Sequence, residues 1–201
     1  MARVPLSKSQ LTREKESLAS FRRYLPALDL KRQQLMGERN RARQEIVKIE
    51  AAVAKSAADA GNAIPMLADE RVDVAGLARP GKVLLGTQNV AGVRLPIVES
   101  VEIHRAEYGR LVRPHWVDAL ADRLAEAIKL RIEVDVARER LALLETAVVK
   151  ITQRVNLFDK VLVPQTLNNI RRINVFLGDA ERSAVVAAKI AKRKRAQEAG
   201  A

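Results

Sequence analysis

The chain of 201 residues carries 36 Lys and Arg against 24 Asp and Glu, a formal net charge of +12, and no cysteine. The missing thiols exclude disulfides, cysteine nucleophiles, thiolate zinc sites and thiolate-held iron–sulfur clusters, and they fit a reducing cytoplasm. Aromatic residues are 3% of the chain and charged residues 30%, a composition of long helices and coiled coil. The start, Met1 to Lys8, lacks the apolar run of a secretory signal. No stretch approaches the roughly 18 uncharged apolar residues of a membrane span. The basic surplus makes nucleic-acid binding the first function to test.

The first predicted element is a coiled-coil helix over residues 7–60. Ser7 followed by Gln10 is a capping-box pattern. From there a frame of alternating three- and four-residue steps passes through Leu11, Leu18, Phe21, Leu25, Leu28, Leu35, Ala42, Ile46, Ile49, Val53 and Ala60. Glu14, Arg32, Arg39 and Ser56 interrupt it in phase. A period of 3.5 residues held for about seven heptads marks a coiled-coil seam rather than a broad core face. Pro26 lies inside and removes one backbone donor, so a kink is expected there. Gly61-Asn62, with Pro65 close behind, predicts the stop.

Residues 61–113 are of another kind. Glycines cluster at Gly61, Gly76, Gly81, Gly86, Gly92 and Gly109. Val83–Leu85, Val90–Leu95 and a partly alternating Ile97–Ile103 predict three short strands. This segment is expected to form a small β-containing head at one end of the helical pair. Its own core is thin, so it must lean on the helix ends or on another subunit.

A second coiled-coil helix is predicted over 114–198. Its seam frame is Leu130, Val134, Ala137, Leu141, Leu144, Val148, Ile151, Val155, Phe158 and Leu162, all apolar. Pro164 breaks the pattern, which resumes one residue out of step at Leu167, Ile170, Ile173 and Leu177. Helices of roughly 80 and 120 Å do not fit a compact domain of this length, so the seams must cover each other or a partner. A single chain returning through its middle makes the pair antiparallel. The expected fold is therefore mainly α, a long antiparallel two-helix coiled coil with a small β-containing head.

No catalytic, cofactor or metal site emerges. Gly76 to Lys82 matches the first seven positions of a phosphate-binding P-loop, but the eighth is Val83, which has no hydroxyl for magnesium, and Pro80 removes an amide from the cradle. An ordinary surface turn is expected there. His104 and His115 lack metal-ligand spacing and are expected to face solvent. Glu14, Glu16, Glu38, Glu45, Asp135, Glu139 and Glu145 each have a base within reach on a charged helical face, which predicts solvated ion pairs. Asp118 and Asp122 share a face at i,i+4, with no further ligand to make a metal site.

The charge has an address. Residues 11–43 hold nine bases against four acids, and Arg182, Lys189, Lys192, Arg193, Lys194 and Arg195 follow near the other terminus, while 61–113 is close to neutral. In an antiparallel pair both basic ends lie together. An RNA-binding surface would add aromatics for stacking, and only Phe21, Tyr24, Tyr108, Trp116, Phe158 and Phe176 are present, two of them in the seams.

Four segments resemble one family in the right order. Thr152-Gln153-Arg154-Val155-Asn156-Leu157-Phe158-Asp159 through Val163-Pro164 resembles the R-V-N-A-L-E…I-P signature of the D subunit of V-type (V/A-type) ATPases and ATP synthases. Ile170-Arg171-Arg172-Ile173, Leu177, Glu181-Arg182 and Lys189-Ile190-Ala191-Lys192 continue that pattern. Leu28 to Leu35 is similar to its L-L-x-x-K-R-x-x-L segment, and Asn89 to Pro96 to its N-x-x-G-V-x-x-P segment. The chain departs at Pro5-Leu6-Ser7-Lys8 where the family has Pro-Thr-Arg, at Leu157-Phe158-Asp159 where it has Ala-Leu-Glu, and over Ser183–Ala188 where it has a charged stretch.

The resemblance implies a central rotor shaft with no cofactor and no chemistry of its own. Its termini would insert into a hexameric ring of catalytic A and B subunits. The head end, with the F subunit, would face the C (d-like) subunit and the membrane rotor ring. The chain would touch the membrane only through that ring, on its cytoplasmic face, and would bind no nucleic acid. Arg13, Arg22, Arg23, Arg171, Arg172, Arg182, Lys189 and Lys192 are the implied contacts to the catalytic ring. The alternative, favoured by charge alone, is a basic coiled-coil adaptor for RNA or ribosomes.

Overall fold

The computed structural model describes residues 5–68, 74–108 and 113–198. Gly109 and the stretches 69–73 and 109–112 of the segment read as a head lie outside the described residues. The chain divides into two units, residues 1–30 with 151–201, and residues 31–150.

Helix α1 spans Lys8–Ala63 and runs through Pro26. The Gln10 N–H donates to the Ser7 hydroxyl at 3.2 Å, which caps one of the four orphan amides of the first turn, and Leu11 N–H donates to the Ser7 carbonyl at 3.0 Å as the first bond of the helical ladder. The Gln10 side chain turns to Glu14 instead, its amide donating at 3.1 Å. At the other end the helix passes the expected stop at Gly61-Asn62. It is Pro65 that ends it, by disfavouring helical geometry in the residue before it, and a 3₁₀ turn follows at Pro65–Ala68.

In the first unit, residues 8–30 of α1 lie against the end of helix α2 (Trp116–Leu157) and against helix α3 (Val163–Glu198). Contacts fall on α3 and α2 in descending order as α1 ascends. Lys8 meets Glu181 at 3.8 Å, Glu14 accepts from the Asn169 amide at 3.4 Å, and Phe21 meets Phe158 edge-to-face at 5.4 Å. The packing is therefore antiparallel. Ile151, Val155, Thr166 and Ile173 are buried, while Leu18, Phe21, Leu25, Leu28, Phe158 and Leu162 are half-buried. From Asp179 to Arg195 every side chain is exposed, so the last turns of α3 find no cover within this unit.

Pro164 does not end the helix. Residues Phe158–Leu162 form a π-helical turn in which Val163 N–H reaches the Phe158 carbonyl, five residues back instead of four. The extra residue makes room for a proline that has no N–H and would crowd the carbonyl four residues before it. It also accounts for the one-residue slip of the seam. The resumed frame is corrected in one place: Leu167 is exposed and Thr166 is buried in its stead, its hydroxyl donating to the Leu162 carbonyl at 2.7 Å.

In the second unit, residues 31–63 of α1 and 116–150 of α2 are joined by Arg43–Glu145 at 2.6 Å and Arg138–Glu50 at 2.7 Å, again antiparallel. Leu35, Ala42, Ile46, Val134, Leu144 and Val148 are buried, and Ile49, Val53, Leu130 and Leu141 half-buried. Each fully covered Leu, Ile or Val contributes about 1.5–3 kcal/mol. The ion pairs, about half exposed, contribute at most about 1 kcal/mol each. Apolar burial holds the helices, and the charges trim their register.

The three expected strands are two. Strands β1 (Ala78–Val90) and β2 (Val93–Arg105) form one antiparallel hairpin, with register shifts at Pro80/Val83 and Leu84/Leu85. What read as a central strand, Val90–Leu95, straddles the hairpin turn, with Val90 ending β1 and Val93–Leu95 opening β2. Ala91 and Gly92 take φ of 49° and 82°, the left-handed pair that matches strand twist in a two-residue loop. Asn89 Oδ1 accepts the Gly92 N–H at 2.9 Å and closes it. The P-loop-like segment is corrected too. Only its start is a turn, with Gly76 at φ of 78°, and Ala78 to Lys82 are the first residues of β1.

The hairpin lies along the helices of its unit rather than beyond them. Arg140 donates to Gln88 Oε1 at 3.0 Å, Arg105 pairs with Asp122 at 2.6 Å, and Leu95 is fully buried. At its base, Ile64, Leu77, Trp116, Val117, Leu120 and Ala121 form one cluster with Val74, Tyr108 and Leu124 against it. The thin core expected of this segment is thus supplied by the two helix ends.

Candidate functional site

No group of His, Asp or Glu able to hold a metal occurs among the described residues. Asp118 is engaged by the Tyr108 hydroxyl at 2.6 Å and Asp122 by Arg105, so this i,i+4 acidic pair is occupied by structural partners. Arg113 lies over the Tyr108 ring at 5.2 Å and braces the same corner. His104 and His115 are exposed. Of the helical carboxylates, Glu38, Asp135 and Glu145 are paired with Arg41, Arg131 and Arg43. Glu14 departs from that expectation, taking the amides of Gln10 and Asn169. Such a polar layer within an apolar seam fixes register at some cost in stability.

What remains is surface, and it differs between the units. Residues 1–30 and 151–201 hold sixteen Lys and Arg against seven Asp and Glu, leaving only three of the net positive charges to residues 31–150. All eight residues named as candidate contacts lie in the first unit. Arg13, Arg22, Arg23, Arg171, Arg172, Lys189 and Lys192 are exposed and make no ion pair among the described residues. Arg182 sits 3.6 Å from Asp179 with its side chain 83% exposed, a pair worth little in water. In the second unit, by contrast, Arg43, Arg138, Arg105 and Arg140 each reach across to a different element.

Apolar side chains also stand outside the core. Val175, Phe176, Val185, Val186 and Ile190 are exposed along α3, and Tyr24, Leu157 and Val161 near the π turn. Periodicity did not single these out because they fall off the seam frame. Their signal lies in the structure, where no neighbour covers them.

The segments that carried the resemblance now have physical roles. Asn89 and Gly92 make the hairpin turn. The Lys31 amine lies 3.2 Å from the position a side-chain carbon on Gly92 would take, so the first-helix motif meets the hairpin motif. Val155 is buried and the stretch from Phe158 to Pro164 is the π turn and its proline.

The described residues thus define a mainly helical protein of paired antiparallel helices with one hairpin and a cationic, sparsely covered unit. Its sequence matches the family model for the ATP synthase D subunit over residues 10–193. It is 35% identical to the V-type ATP synthase D subunit of Borreliella burgdorferi over 199 residues, 96% of this chain and 95% of the relative. Proteins of the same name from Chlamydia felis and Chlamydia pneumoniae are each 32% identical, over 96% and 95% of this chain and 94% and 92% of their own. The chain belongs to the ATP synthase D-subunit family, whose members are non-catalytic stalk components of rotary ATPases. No helix among the described residues is long and apolar enough to cross a membrane.

Proposed function

We propose that this chain is the central shaft of a V-type ATPase or ATP synthase, coupling ATP turnover in a catalytic ring of A and B subunits to rotation of the membrane ion-translocating ring. The observation that carries this reading is the family match over residues 10–193. The cationic first unit supports it from the other side, because seven of its exposed bases make no ion pair among the described residues. In this reading the first unit is held in the A and B sleeve, where Arg13, Arg22, Arg23, Arg171, Arg172, Arg182, Lys189 and Lys192 meet acidic loops through exposed, salt-sensitive pairs that allow slippage. The hairpin-bearing unit faces the F and C subunits and the rotor ring.

The shaft contributes no chemistry. Torque needs stiffness, and stiffness comes from the interlocked seam: Leu18, Phe21, Leu25, Leu28, Ile151, Val155, Phe158 and Leu162 in one unit, and Leu35, Ile46, Ile49, Val53, Leu130, Val134, Leu141, Leu144 and Val148 in the other. By meeting each catalytic interface with a different face, the shaft biases the three toward different states.

Co-purification of the tagged chain from its native membranes tests the reading. Recovery of the A and B ATPase subunits is the expected result, and their reproducible absence would overturn it. An RNA or ribosome adaptor rests on charge alone. It requires log affinity to fall linearly with log salt, and no binding to RNA at moderate salt is expected.

A further inference from the structure

Within the first unit, Tyr24, Ala27 and Leu28 on α1 and Arg154 and Phe158 on the opposing helix line an open depression of about 460 Å³. Its floor is firm, because the Phe158 ring is held edge-on against Phe21. Its rim is apolar well beyond the depression itself. Tyr24 is 59% exposed, and Leu157 and Val161 are 47% and 49% exposed. Leu157 and Val161 stand three residues after Arg154 and Phe158, which on a helix places them on the same flank. The backbone is irregular at the same place. The π turn spans Phe158–Leu162, and Pro164 has no N–H to give, so this stretch carries a carbonyl without a helical donor. Such turns recur where helices are used for contact.

The electrostatics say what kind of occupant fits. Arg154 lines the depression and has no carboxylate partner among the described residues, and neither do Arg22 and Arg23 on the adjoining turn. A guanidinium beside an apolar recess suits a carboxylate carried close to an aliphatic or aromatic side chain. A second copy of this chain is a poor candidate, since its matching unit carries the same surplus of nine positive charges. A depression this open suits a side chain of a protein partner rather than an enclosed small molecule.

We propose that the depression between Tyr24, Leu28 and Phe158 is a docking site for an acidic amphipathic segment of another component of the rotary complex. One apolar side chain of that segment enters the recess, and an Asp or Glu within one helical turn of it pairs with Arg154. The proposal rests on the shaft reading for the identity of the complex, not for the chemistry of the site.

The test uses the complex purified from membranes through a tag on this chain, with a photo-crosslinking phenylalanine analogue in place of Tyr24. The expected product is a cross-link to a partner protein, at an apolar residue with a carboxylate within four positions. Arg154→Glu is expected to weaken retention of that partner at least about tenfold, with helicity unchanged because Arg154 is exposed. Reversing the partner's carboxylate to Arg is expected to restore it. Recovery of the complex without any cross-link at Tyr24, or a cross-link to a basic segment, to nucleic acid, to lipid or to a second copy, would overturn the proposal. Failure of the unmodified chain to bring down A and B subunits would instead overturn the shaft reading, and the two results are read in separate lanes.

Discussion

The two units put their arginines to opposite uses. In residues 31–150, Arg43 and Arg138 tie one helix to the other and Arg105 and Arg140 tie the hairpin to α2. Among the described residues of 1–30 and 151–201 the bases mostly face water, and from Asp179 to Arg195 the helix is exposed on every side. The first pattern belongs to a part whose arginines are satisfied from within, the second to a part whose bases are left to water or to the acidic partners proposed above. A single figure of +12 hides this difference.

The largest expected effect breaks the self-sufficient unit from within. Leu144 is fully buried, and Leu144→Asp places an uncompensated carboxylate there, at a cost of about 3–5 kcal/mol or more. Thermal melts followed by circular dichroism should show the loss, and an unchanged midpoint would mean the seam bears little load. Trp116→Ala removes the largest member of the cluster beneath the hairpin, 9% exposed, for about 3–5 kcal/mol. Amide exchange should then accelerate in β1 and β2. Equal protection in both proteins would show that the hairpin does not depend on the helix ends.

The next effect belongs to the other unit. Deleting Val161 removes the extra residue of the π turn and leaves Pro164 in a regular helix, where it has no N–H to give and its ring crowds the carbonyl four residues back, for about 3 kcal/mol. A variant that melts like the parent would show that the π turn is not what accommodates the proline. The smallest effect is that of the double change Arg43→Ala, Arg138→Ala. Each pair is about half exposed, so the loss should be about 1–2 kcal/mol at most and should shrink at high salt. A larger, salt-independent loss would make these pairs structural in their own right.

The helices were legible because a 3.5-residue period is written by side chains that must all reach one seam. All twenty-one apolar residues placed in the two frames as far as Leu162 are buried or half-buried. Even the slip after Pro164 was visible, though its cause was not, since a π turn and a broken helix leave the same one-residue offset. Thr166 was hidden because its hydroxyl is satisfied by the Leu162 carbonyl, which lets a polar residue sit where the pattern asks for Leu167. The hairpin turn was missed because Ala91 takes a left-handed conformation more usual for Asn or Gly, so a run of apolar residues hid a reversal. The depression at Tyr24 was unreadable for another reason. Its residues come from two helices, and only folding shows that nothing covers them.

The central claim is that a packed seam transmits torque, and the ratio of ions moved to ATP hydrolysed tests it most directly. Val148→Asp with Ile151→Asp charges two consecutive buried seam positions. Vesicles carrying the complex with this variant should still hydrolyse ATP while the ions moved per ATP fall several-fold. Assembled complexes that pump at the parental ratio would contradict a torque-bearing seam.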